Sequence, residues 1–95
     1  MDPPMQARGF YGLARIAALE KNPELAEKLF LRVLDSSPDP QTAAWAHVFL
    51  GRLLDLAGER EEAAGHYKSA TAIDGASPAA REAAQKGLQE GFRRQ

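Results

Sequence analysis

The sequence predicts an all-α fold, an α-solenoid of two antiparallel helical hairpins followed by a C-terminal capping helix. Two stretches, set 37 residues apart, carry matching side chains at matching positions. The matched pairs are Leu13 and Leu50, Ala14 and Gly51, Arg15 and Arg52, Leu19 and Leu56, Glu24 and Glu61, Ala26 and Ala63, and Phe30 and Tyr67. Apolar residues recur at helical spacings in both stretches, and no alternating pattern long enough for a strand occurs. A repeat of this length is typical of stacked helical hairpins.

The first predicted helix runs to about Glu20, after a frayed end at Met1–Pro4. Its apolar side chains follow the i, i+3, i+4, i+7 rule and form its core face. They are Phe10, Leu13, Ala14 and Ala17. The second helix begins with Asn22 as N-cap and Pro23 in the first turn, where the missing N–H costs nothing. Its core face consists of Leu25, Ala26, Leu29, Phe30 and Val33, and prolines that follow end it near Ser36.

The third helix opens at Asp39–Pro40 by the same combination of cap and proline. It runs to the turn in which Gly58 suits the left-handed C-terminal position. Its predicted core face is His47, Leu50, Gly51 and Leu54. The fourth helix, at about Arg60–Ile73, ends at Asp74–Gly75. Its predicted core face is Ala63, Tyr67, Ala70 and Ile73.

The fifth helix has a strong start signal, with Ser77 as N-cap and Pro78 at the first helical position. One side is apolar or small and the other is charged or polar, as a terminal capping helix needs in order to stay soluble. Gly87 and Gly91 lie on the apolar side, where we expect another helix to come close. Each costs about 1 kcal/mol of helix propensity relative to alanine.

These residues resemble the tetratricopeptide repeat family. One copy of its pattern is Leu50-Gly51, Leu54, Gly58, Ala63, Tyr67 and Ala70, and a second is Leu13-Ala14, Ala17, Ala26, Phe30, Val33 and Pro38. We expect one domain, with repeats at about residues 7–40 and 41–75 and a capping helix at about 77–93. In both copies we expect the small residues to let neighbouring helices approach and Phe30 and Tyr67 to fill the gaps between hairpins. The interval exceeds the family's length of about 34 residues, and the Pro38–Gln41 linker accounts for the excess.

The resemblance also implies a binding groove, because the first helix of each repeat lines a concave surface that binds extended peptides in this family. The residues expected to face it are Arg8, Tyr11, Arg15, Trp45, Val48, Arg52 and Asp55. Arg15 and Arg52 would stand side by side and bind a peptide carboxylate, with Tyr11 and Trp45 as apolar anchors. The alternative is that the arginines are solvated or paired internally, Arg52 with Asp55, and that Trp45 belongs to the core.

The composition excludes several other functions. The net charge is −1, so no basic surface for nucleic acid or an anionic membrane is expected. The absence of cysteine excludes disulfides, thiolate metal ligands and thiol nucleophiles. We expect no cofactor, metal or catalytic residue, and we interpret His47 as a satisfied buried or half-buried ring. Met1–Pro4 lacks the features of a secretory leader, so a cytoplasmic location is expected unless the sequence is a piece of a longer secreted protein.

Two functional hypotheses remain open. The first is a protein–protein interaction module that binds a peptide or helix in its groove. The second is a structural or oligomerisation end-piece of a larger repeat or multidomain protein, because about three repeats are usual for a stable array. In that case the partner is a neighbouring repeat or a second copy, held through the first helix or the groove. A concentration-dependent dimer in light scattering favours the second hypothesis.

Overall fold

The computed structural model describes residues 2–93, which form five α-helices and no strand. The helices are α1 (Pro3–Leu19), α2 (Pro23–Asp35), α3 (Pro40–Leu56), α4 (Arg60–Ala72) and α5 (Pro78–Glu90). The helix α1 packs on α2, α3 packs on α4, and α5 packs against both helices of that second pair. This arrangement confirms the all-α helical-repeat fold class. No helix in the described range is long and apolar enough to cross a bilayer.

Four helices begin with the same local device, a polar side chain followed by proline. The caps of α1, α2, α3 and α5 are Asp2, Asn22, Asp39 and Ser77, and each accepts a hydrogen bond from the backbone N–H three residues later. Such a cap satisfies a donor that has no partner within the helix. The predicted frayed end is therefore wrong for residues 2–4, since Asp2 caps α1 and Pro3 begins it; Met1 lies outside the described residues.

The first core cluster joins the two hairpins around Phe30. This side chain is fully buried, and its ring stacks on that of Phe49 with centroids 5.2 Å apart. Tyr11 of α1 contacts both rings edge-on, at 5.9 and 6.0 Å. The small residues Ala14 and Ala26 are completely buried, which lets α1 and α2 approach closely. The predicted role of Phe30 as the filler between hairpins agrees with this geometry.

The second core cluster surrounds Tyr67, which is fully buried on α4. A Cβ built on Gly51 of α3 or on Gly87 of α5 would lie only 2.5 Å from an atom of the Tyr67 ring. Both positions therefore have no room for a side chain. The expected close approach at Gly87 is confirmed, and the ring explains why glycine occupies a helix interior at both places.

Two predicted core positions are wrong. Leu13 and Leu25 are 55% and 44% exposed, because no other described helix covers those sides of α1 and α2. His47 is half-buried, which agrees with the expected buried or half-buried ring. The helix α5 ends at Glu90 rather than continuing toward residue 93, because Gly91 adopts a φ of +73° and turns the chain away. Gly91 is thus a terminating residue and not part of a helix face.

Candidate partner-binding groove

The aromatic residues between the two hairpins form the base of the candidate site. Trp45 and Phe49 lie one turn apart on α3, with ring centroids 6.2 Å apart, and Tyr11 approaches Phe49 from α1. All three rings are half-buried. Burial raises the pKa of the Tyr11 hydroxyl, an effect that the nearby guanidinium groups of Arg15 and Arg52 partly offset. The three rings therefore form an aromatic cluster close to two positive charges.

A pocket of about 240 Å³ opens beside these rings, between α1, α3 and the segment after α5. We call this pocket the groove. It is lined by Arg15, Ala18, Leu19, Phe49, Arg52, Leu53, Leu56 and Phe92. A second pocket of about 190 Å³ shares Ala18, Leu53 and Leu56 with it and extends the apolar surface toward Pro23. Six of the eight groove residues are apolar, so the groove is suited to apolar side chains of a partner.

Arg15 and Arg52 supply the charge of the groove. Arg15 lies over the Tyr11 ring at 5.9 Å, and Arg52 lies 5.4 Å from the centroid of Phe49. Neither guanidinium has a carboxylate partner among residues 2–93. The aromatic faces hold the two cations by cation–π attraction and leave their N–H groups free for an acceptor.

Phe92 closes one end of the groove, and Asp55 holds it there. The Phe92 backbone N–H donates to Asp55 Oδ2 over 2.9 Å, and the Phe92 ring lies 5.2 Å from the Arg52 guanidinium. Asp55 also accepts from the Tyr67 hydroxyl at 2.7 Å and from Arg60 at 2.9 Å. One carboxylate thus joins α3, α4 and the segment after α5.

Two residues expected to face the groove do not do so. Val48 is fully buried, and the Asp55 side chain is only 5% exposed. Both lie on the side of α3 against which α4 and α5 pack. The two repeats by themselves would leave part of this side exposed, but the capping helix α5 covers it. The suggested pairing of Arg52 with Asp55 is also wrong, because Asp55 pairs with Arg60.

The other predicted residues divide between the groove and its surroundings. Arg15 and Arg52 both line the groove, from α1 and α3 respectively. Tyr11 and Trp45 are half-buried beside it. Arg8 lies outside the groove and forms an ion pair with Asp39 at 3.2 Å.

The sequence contained a signal for the groove residues that the prediction missed. Most of those on α3 belong to one helical row with spacings of four, three and four residues. That row is Trp45, Phe49, Arg52 and Leu56, of which the last three line the groove. Residues with this spacing lie on one continuous face of a helix. The predicted row contains Val48 and Asp55, and each lies one residue before its observed counterpart. No local signal identifies Phe92, because its place depends on the turn at Gly91.

Outside the groove, two histidines meet on the second hairpin. His47 of α3 and His66 of α4 have their Nδ1 atoms 3.0 Å apart. Burial lowers the pKa of both rings; the neighbouring ring lowers that of His47 further, while Glu62 and Glu27 partly offset the effect on His66. Glu62 precedes His66 by four residues, which places the two side chains on one face of α4 and was a signal that the sequence offered.

Comparison with known proteins gives one finding on the family. A family model described as the tetratricopeptide repeat matches residues 5–76, which is most of the chain. No curated protein and no solved structure matches the sequence significantly.

Proposed function

Since this chain belongs to the tetratricopeptide repeat family, a non-catalytic family whose domains mediate contacts with protein partners, we propose that it binds an extended segment of a partner in the groove. The observation that carries the proposal is the pair of guanidinium groups, without carboxylate partners in the described chain, at the rim of an apolar pocket. Isolated surface charges contribute little, but two cations fixed on aromatic rings can bind one acceptor together.

The lining of the groove indicates the chemistry of the bound segment. A large apolar side chain would pack on Phe49, Leu53 and Leu56, where it removes apolar surface from water. A carboxylate beside it would accept hydrogen bonds from Arg15 and Arg52. We therefore propose that the preferred segment combines an aromatic or aliphatic anchor with an acidic group within a few residues.

Selection of peptides from a random library displayed on phage tests this proposal. The affinities of the selected peptides are then measured by calorimetric titration. We expect enrichment of peptides that join an apolar anchor to an acidic residue. The double variant Arg15→Glu/Arg52→Glu should abolish their binding while far-UV circular dichroism stays unchanged. Lys28→Glu, a matched charge reversal on an exposed side chain of α2, should bind normally. Unchanged binding by the double variant would reject the groove assignment.

A second candidate function is supported by the outward side of α1. Met5, Leu13 and Ile16 are exposed by 52%, 55% and 52%, and this is an unusual apolar content for a solvated face. The same pattern suits a helix that packs on a neighbouring repeat or a second copy of the chain. Light scattering over a range of concentrations distinguishes the two functions, because an autonomous binding module stays monomeric. If a dimer forms, Ile16→Lys should dissociate it without affecting peptide binding.

A further inference from the structure

The two histidines of the chain lie in contact across the second hairpin. The distance between their Nδ1 atoms is compatible with two kinds of interaction, a hydrogen bond or the binding of one metal ion by both rings. The 3.0 Å separation of their Nδ1 atoms fits a hydrogen bond in which one ring donates and the other accepts. It also fits two ligands of one metal ion. Nitrogens at about 2.0–2.1 Å from a shared ion, with an angle of about 90–109° between them, lie about 2.8–3.4 Å apart. The observed distance therefore lies within the range required for chelation.

The residues around the histidine pair provide solvent access and negative charge, and both features favour the binding of a cation. Both rings are half-buried, so one side of the pair remains open to solvent. Glu62 on α4 and Glu27 on α2 are close enough to act electrostatically on His66. Neither carboxylate has a hydrogen bond or ion pair within residues 2–93. A positive ion would thus enter a site that already has two neutral nitrogen donors and unneutralised negative charge nearby.

Metal binding would replace the hydrogen bond between the two rings. A neutral imidazole carries one proton on its two nitrogens, and in the hydrogen bond one of the two Nδ1 atoms holds it. Both Nδ1 atoms become available to an ion when that ring moves its proton to Nε2.

We propose that His47 and His66 form a two-imidazole site for a divalent transition-metal ion, with its remaining positions filled by water or by the Glu62 or Glu27 carboxylate. The part of the chain that the structure describes contains no assembled group of three or more His, Cys, Asp or Glu ligands. The site therefore supplies two fixed donors and an open side. Nitrogen donors select Cu²⁺, Ni²⁺ and Zn²⁺ over Mg²⁺ and Ca²⁺, with Cu²⁺ bound most tightly.

A bound ion would also connect two helices. His47 belongs to α3 and His66 to α4, and each lies near the middle of its helix, so the metal would bridge the hairpin about midway along its length. Because the bridge exists only when the hairpin is folded, binding should raise the melting temperature of the protein, and the increase should grow with the logarithm of the ion concentration above the dissociation constant.

Calorimetric titration and thermal unfolding of the full chain, without any histidine tag, test the proposal. We expect Cu²⁺, Ni²⁺ and Zn²⁺ to bind at one ion per chain and to raise the melting temperature, and Mg²⁺ to do neither. His47→Gln and His66→Gln should each weaken Zn²⁺ binding by about 100-fold or more, because the second donor no longer benefits from the first. Glu62→Gln should weaken it less, and Glu61→Gln, the matched neighbour on α4, should not change it.

A measurement on the unaltered protein keeps the test independent of folding defects in the variants. Long-range ¹H–¹⁵N spectra of the histidine rings should show both Nδ1 signals moving on addition of Zn²⁺. If neither ring responds to Zn²⁺, or if His47→Gln binds the ion as tightly as the original chain, the pair is a hydrogen bond only and the proposal is overturned.

Discussion

Replacing Gly87 by alanine tests the packing around Tyr67, on which the contact between α4 and α5 depends. A methyl group at this position would lie 2.5 Å from the Tyr67 Cζ atom and 2.6 Å from Cε1, about 1 Å inside ordinary van der Waals contact. The ring has no simple escape, because Gly51 of α3 also lies against it and the hydroxyl is bound to Asp55.

The expected size of the effect follows from two opposing contributions. Overpacking of a buried site costs about 1–3 kcal/mol, whereas exchanging glycine for alanine inside a helix stabilises by about 0.5–1 kcal/mol. The difference spans about 0–2.5 kcal/mol, and we therefore expect Gly87→Ala to lower the free energy of unfolding by about 1 kcal/mol. For a chain of this size, each kcal/mol lowers the melting temperature by about 4–8 °C.

The chain offers a matched control for this measurement. Gly65 in α4 and Gly12 in α1 are also interior helix positions, but a Cβ at either would meet nothing within 4 Å. Their alanine variants should be more stable than the original by about 0.5–1 kcal/mol. Urea unfolding followed by far-UV circular dichroism provides the free energies. If Gly87→Ala were as stable as Gly65→Ala, the tight contact with Tyr67 and the derived helix arrangement would be refuted.

Two further predictions concern the hydrogen bonds that fix the helices. Tyr67→Phe removes a donor from the nearly buried Asp55 carboxylate and should cost about 1–3 kcal/mol in urea unfolding; a neutral result would show that the bond contributes nothing. The pKa of Asp39 is lowered, chiefly by the Thr42 backbone N–H that it caps. Since this pKa is lower in the folded state, the stabilisation is complete above the ordinary aspartate pKa and is lost as the pH falls through the folded value. Asp39→Ala should therefore cost about 1 kcal/mol at neutral pH and progressively less in acid, and an equal cost at both pH values would contradict the assignment.

The helices themselves were predictable because their signals are local. Asn22, Asp39 and Ser77 act as caps beside a following proline in the sequence, and each begins a helix in the structure. The small residues shared by the two repeats are buried as expected, since a glycine or alanine at a helix contact is required by the backbone separation. Asp2 and Pro3 form the same combination of cap and proline, and they begin α1.

The groove could be located by its helices but not by its residues. The sequence determined that α1 and α3 would lie side by side, and that Arg15 and Arg52 would occupy equivalent positions on them. It did not determine how much of α3 is covered, because helical periodicity predicts one buried face, whereas α3 is enclosed by α2, α4 and α5 together. Helical periodicity therefore predicts Val48 and Asp55 in the groove, whereas the structure buries both and places Phe49 there.

Contacts between residues distant in the sequence were decided by the tertiary structure alone. The turn at Gly91 directs Phe92 to Asp55, 37 residues away, and the packing of α3 on α4 brings His47 to His66, 19 residues away. Neither pair has a local pattern, because such contacts depend on the angle and register between helices that form independently. Sequence alone therefore determined which segments are helical and which positions are small, and the packing of five helices determined which side chains meet.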